Sequence, residues 1–152
     1  MVTQAFGTPS LKGRALKLLS SREYSRLELE RKLLQFEEES GSLAAALDDL
    51  QAKGFISEQR VLDSVVNRRA SKLGASRIKQ ELQGKGLDPQ AVAQAVADLR
   101  VTELARAREV WCKKFGQPAQ DAAERAKQMR FLAGRGFAGD TIARVVAGSD
   151  DD

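Results

Sequence analysis

The chain repeats itself. The stretch Met129-Arg130-Phe131-Leu132-Ala133-Gly134-Arg135-Gly136-Phe137 restates the grammar of Ile78-Lys79-Gln80-Glu81-Leu82-Gln83-Gly84-Lys85-Gly86-Leu87. With Gly86 laid on Gly136, Leu82 falls on Leu132, Lys85 on Arg135, Leu87 on Phe137, Val92 on Ile142 and Val96 on Val146. A helix, a basic-Gly-apolar turn and a second helix therefore recur about 50 residues apart, and such fixed-period similarity is the signature of a repeat architecture. It restricts the fold to units that stack on their neighbours.

The composition agrees with a helical repeat. Hydrophobic residues make up 42% of the 152 positions but aromatic residues only 5%, so the core is built from Leu, Val, Ile and Ala. Strands favour β-branched and aromatic side chains, and this balance leans towards helix. There is no histidine, which removes the usual general base near neutral pH and the commonest metal ligand. The single cysteine, Cys112, excludes an internal disulfide and a cysteine-cluster metal site. No apolar run reaches membrane-span length, and the first residues do not resemble a signal peptide. The expectation is a soluble cytoplasmic monomer with no cofactor, no small-molecule substrate and no membrane partner.

The net charge of +4 is unevenly distributed. Residues 1–55 carry 8 basic and 8 acidic side chains, residues 56–148 carry 17 and 10, and Asp150-Asp151-Asp152 follow. A basic excess over the middle and last parts of the chain favours an anionic partner, either nucleic acid or an acidic protein surface. A helical surface that is simply basic and solvated is the alternative.

Three sets of helical signals follow one another. Residues 1–10 read as a tail that ends in Ser10, a cap for a helix with Leu11, Ala15, Leu18 and Leu19 along one face. Ser25-Arg26-Leu27-Glu28 is a capping box opening a helix that faces inward with Leu29, Leu33 and Phe36. Leu43, Ala46, Leu47 and Leu50 mark a third helix, closed by Gly54. The second repeat, residues 56–100, starts with Ser57 as cap and buries Val61, Leu62, Val65, Ala70 and Leu73. After a break at Gly74, Ile78 and Leu82 face inward from a short helix. Asp88-Pro89 then starts a helix that buries Val92, Ala95, Val96 and Leu99. The third repeat, residues 101–148, opens a helix at Thr102 with Leu104, Ala107, Trp111 and Phe115 in one stripe. Asp121 caps the next helix, and Ile142, Val145 and Val146 lie in the last. Residues 11–55 form the first repeat and 149–152 an acidic tail. The fold class is all-α: nine helices in three tandem three-helix repeats, arranged as an elongated, curved array.

Chemistry-bearing constellations are absent from this pattern. Gly84-Lys85-Gly86 resembles a fragment of a phosphate loop, but the spacing of such a loop is missing. Glu37-Glu38-Glu39 and Asp48-Asp49 pair with no base and read as solvated helix ends. Gly86 and Gly136 fit positions of positive φ at a helix end, with Leu87 and Phe137 packing back after the turn. Lys85 and Arg135 either complement the helix dipole or face a partner from equivalent places. Arg68, Arg69 and Lys72 form a second basic cluster, Arg77 and Lys79 follow it, and Lys113, Lys114, Lys127 and Arg130 are the comparable positions of the third repeat. On one face, these residues would meet phosphates or carboxylates. Tyr24 and Trp111 do not provide a base-stacking platform. Nor does a second helix carry the exposed row of Arg, Asn, Gln and Ser that a major-groove reader needs.

The order of three segments resembles the RecX family, bacterial regulators of the RecA recombinase. The first runs from Ala15-Leu16 through Ser25-Arg26-Leu27-Glu28-Leu29-Glu30-Arg31-Lys32-Leu33. The second is Arg68-Arg69, then Gly74-Ala75-Ser76-Arg77-Ile78-Lys79-Gln80-Glu81-Leu82 and Lys85-Gly86. The third is Arg130-Phe131-Leu132 with Arg135-Gly136-Phe137. The resemblance spans roughly residues 11–147 and departs from the family pattern at Glu58 and Val61, where an Asp and an aromatic residue are usual. It implies three tandem three-helix units lying in the groove of the RecA–single-stranded DNA filament. It also implies inhibition of ATP hydrolysis, strand exchange and LexA repressor self-cleavage. A long, basic, non-catalytic helical array suits that task, because many weak contacts spread over several protomers add up. The second reading is a general DNA-binding module without sequence preference, and an enzyme is the third.

Overall fold

The computed structural model describes residues 8–148, which form eight α-helices and one 3-10 turn with no strand among them. The expected tails therefore lie largely outside the described residues, with only Thr8, Pro9 and Ser10 visible and exposed. The chain divides into two compact units, 1–62 and 63–152.

The first unit is organised by caps. Helix α1 (Leu11–Ser21) starts where the Ser10 hydroxyl accepts the Gly13 N–H at 3.0 Å. Helix α2 (Arg26–Leu33) opens on the expected capping box: Ser25 Oγ accepts the Glu28 N–H, and the Glu28 carboxylate accepts the Ser25 N–H. These bonds satisfy two of the four N–H groups that a helix start leaves without partners. Helix α3 (Ser42–Ala52) begins differently, with the Glu37 carboxylate accepting the Leu43 N–H at 2.9 Å. Glu37 is thus a working cap rather than a solvated end. Ala15, Tyr24, Leu29, Leu33, Leu43, Leu47, Leu50 and Ile56 form the core, covered by Leu11, Leu18 and Leu19. Burial of a leucine of this kind contributes about 1.5–3 kcal/mol. Phe36 departs from expectation. A 3-10 turn at Leu34–Phe36 ends α2 and rotates the ring outwards, where it is 37% exposed under the Arg14 guanidinium. Lys12 and Lys53 both contact Asp49 and hold its carboxyl below its ordinary value of 3.8.

Helix α4 (Glu58–Arg69) starts at Ser57, whose hydroxyl accepts the Arg60 N–H. The second unit continues with α5 (Ala75–Gly84), α6 (Pro89–Lys114), α7 (Ala122–Gly134) and α8 (Gly139–Val146). Helix α6 is its spine and packs against α5, α7 and α8. Its first half buries Val92, Ala95, Val96 and Leu99 beside buried Ile78 and Leu82 in α5. Its second half joins Ala107 and Val110 to Leu132, Phe137, Ile142, Val145 and Val146.

The 26-residue α6 corrects the expected helix count. A helix ending at Leu99 and another opening at Thr102 are one continuous element. The Thr102 hydroxyl donates back to the Leu99 carbonyl at 3.3 Å instead of capping a new start. The repeat boundary at residues 100 and 101 therefore coincides with no chain break.

Candidate partner-binding surface

Two turns of the same construction close α5 and α7. The Lys85 and Arg135 N–H groups donate to carbonyls three and four residues back, and those of Gly86 and Gly136 to carbonyls three back. Gly86 has φ 71° and Gly136 φ 90°, the left-handed backbone expected of both. Leu87 and Phe137 are buried after them, as expected.

The turn after α7 is closely covered by the corner before α5. At Gly136 an added Cβ would lie 2.2 Å from Cγ of Arg77. At Gly74, the last residue of the corner between α4 and α5, it would lie 2.3 Å from the Gly136 carbonyl oxygen. The Gly74 N–H donates to the Arg135 carbonyl at 2.8 Å, and the Arg77 guanidinium donates to the Gly134 carbonyl. Gly74, read as a break, is thus the point where the corner before α5 seats on the turn after α7.

Glu103 and Arg106 of α6 tie down the same corner. Glu103, only 3% exposed, accepts the Ala75 N–H at 2.8 Å, capping α5 from another helix. Arg106 donates to the Ala70, Leu73 and Leu99 carbonyls. Burial lowers the Arg106 pKa, and the Glu103 carboxylate partly offsets that. Sequence reasoning missed both residues. The available signal is a charge at Glu103 inside the stripe Leu99, Ala107, Val110.

The predicted basic residues, spread along the chain from Arg68 to Arg135, fall into groups. Arg69 is occupied: its guanidinium pairs with Glu81 of α5 at 3.1 Å. Arg77 is occupied by the Gly134 carbonyl. Lys85 is half-buried and has an interaction within the molecule. Arg135 is half-buried with its guanidinium 4.9 Å from the Phe131 ring centroid. Neither side chain stands clear of the rest of the molecule. Lys114 reaches the same ring at 5.3 Å, and Phe115 meets it edge-on at 5.5 Å. Phe131 is the further residue of this surface, placed four positions before Arg135 on one helical face.

Arg68, Lys72, Lys79, Lys113, Lys127 and Arg130 are exposed, and their side chains have no ion pair among the described residues. No group of three or more His, Cys, Asp or Glu among the described residues is placed to hold a metal ion. No described helix is long and apolar enough to cross a membrane.

These features define an all-helical repeat protein with an unneutralised basic surface. Residues 57–96 match the second three-helix domain of RecX, and residues 102–146 match the third. The chain belongs to the RecX family of regulatory proteins. It is 52% identical over 141 residues to regulatory protein RecX of Leptothrix cholodnii, covering 93% of this chain and 90% of that one. It is 49% identical to regulatory protein RecX of Herminiimonas arsenicoxydans, covering 93% and 94%. The crystal structure of RecX from Lactobacillus salivarius shares the fold with a TM-score of 0.71 at 21% identity, covering 92% of this chain and 94% of that one.

Proposed function

We propose that this RecX-family chain regulates the RecA recombinase by binding the groove of its filament on single-stranded DNA. In this reading it inhibits RecA ATP hydrolysis, strand exchange and coprotease activity, and so limits recombination, DNA repair and the SOS response. The observation that carries the reading is the set of exposed, unpaired cations on α4 to α7, set against a first unit whose cations largely meet acids. A filament offers a repeating anionic surface, and contacts spread over three repeats (residues 11–55, 56–100 and 101–148) add up across neighbouring protomers. Inhibition follows if binding favours one filament state, because a ligand shifts an equilibrium only by its differential affinity.

The test is RecA ATPase on single-stranded DNA. Turnover should fall as the protein approaches saturation, and unchanged turnover at saturation sinks the reading. The alternative, a general DNA-binding module, predicts tight binding to naked DNA that weakens steeply with salt in the absence of recombinase.

A further inference from the structure

Arg135 is held through both its backbone and its side chain. Its carbonyl accepts the Gly74 N–H at 2.8 Å, the φ 90° of Gly136 fixes the turn behind it, and its guanidinium lies 4.9 Å from the Phe131 centroid. Lys114 places a second charge 5.3 Å from that centroid. No ion pair joins either cation to an acid among the described residues. Lys113, Lys127 and Arg130 are exposed with nothing to order them, so each loses side-chain freedom when it meets a partner. A guanidinium held against a ring has lost part of that freedom beforehand, with its N–H donors left to bind in a fork.

We infer that Arg135 is the anchor of the surface, that it takes a carboxylate of the protein partner, and that Phe131 is the residue that positions it. The inference rests on the filament-binding reading and deepens it. The surroundings favour protein over nucleic acid. Trp111 and Phe131 are half-buried against the core of α6 to α8, beside Phe115. Aromatic and arginine side chains over an apolar base make up the centre of a protein–protein interface. The π surface of Phe131 is engaged by two cations and by Phe115, so it does not offer the open stacking platform that bases require.

Four variants test this by co-sedimentation with recombinase filaments: Arg135→Gln, Arg135→Lys, Phe131→Leu and Phe131→Tyr. Arg135→Gln should weaken binding by about 10-fold or more, the scale of a charge-assisted hydrogen bond. Arg135→Lys should recover only part, because an ammonium lacks the fork. Phe131→Leu keeps an apolar side chain in place and should weaken binding about 2- to 5-fold, whereas Phe131→Tyr should bind like the parent. The Arg135 Nε–H resonance reports whether the guanidinium lies against the Phe131 ring in solution. Its ring-current shift should persist in Phe131→Tyr and vanish in Phe131→Leu. If the parent binds filaments and Arg135→Gln binds equally well, the anchor assignment fails while the proposed function stands. If Arg135→Gln loses affinity for a bare thymidine oligonucleotide as much as for the filament, phosphate replaces carboxylate and the inference is overturned. A parent that does not bind filaments removes both readings.

Discussion

Gly74 shows what a single residue contributes that its neighbours in sequence do not reveal. Its φ is −79°, a value open to any residue, so backbone freedom does not explain the glycine. The reason is distance: the Gly136 backbone passes where a Cβ would sit. Gly74→Ala should therefore destabilise the protein by about 3 kcal/mol, towards the upper end for overpacking, since both sides of the clash are main chain. Gly84 provides the contrast. It ends α5 with nothing within 4 Å of a Cβ, so Gly84→Ala should be neutral or stabilise by about 0.5–1 kcal/mol. Urea denaturation of the two variants checks both signs, and equal stabilities would refute the seating of Gly74 on the turn. The glycines at 86 and 136 were legible because a helix end with a following apolar residue is a local pattern. The role of Gly74 depends on a contact about 60 residues away, which no local pattern encodes.

At the scale of elements, the caps were the most legible features. Ser10, Ser25 with Glu28, Ser57, Asp88 and Asp121 each accept the N–H that their position predicts, because capping is decided within three residues. The start of α5 is capped from elsewhere and was not legible. Gly74 supplies no side chain, and Glu103 of α6 takes over the acceptor role for the Ala75 N–H. The join within α6 was misread for a related reason. A threonine after an apolar run looks like a cap, yet its hydroxyl bonds equally well to the carbonyl one turn back. Glu103→Ala should cost about 1–3 kcal/mol, because it leaves a buried N–H without its acceptor. Glu103→Gln retains a carbonyl oxygen at the same place and should be milder. Amide exchange at Ala75 distinguishes this local role from a general loss of packing. It should accelerate in Glu103→Ala by more than the global destabilisation explains, and parity with the global change would refute the cap.

Across the whole chain, the partition of charge was legible by counting, but the commitment of individual cations was not. In the first unit Lys12, Arg22, Arg26, Lys53 and Arg60 all pair with acids. Over residues 56–148 the 10 acids are outnumbered by 17 cations, and Arg68 and Lys72 pair with none among the described residues. Arg69, adjacent in sequence, points to Glu81 instead, so reversing its charge would set two acids against each other and disturb the fold. A test of the basic surface should therefore spare it. Arg68→Glu with Lys72→Glu changes the net charge from +4 to neutral. Lys17→Glu with Lys32→Glu produces the same net charge on exposed positions of the first unit. If the placement of charge matters, the first pair should weaken filament binding about 10-fold at low salt, mainly through a slower association rate, while thermal stability changes little. The control pair should bind nearly as the parent does, and the difference between the pairs should shrink as added salt screens it. Equal weakening by both pairs would show that only net charge is sensed, and the surface on α4 to α7 would lose its claim to be the binding face.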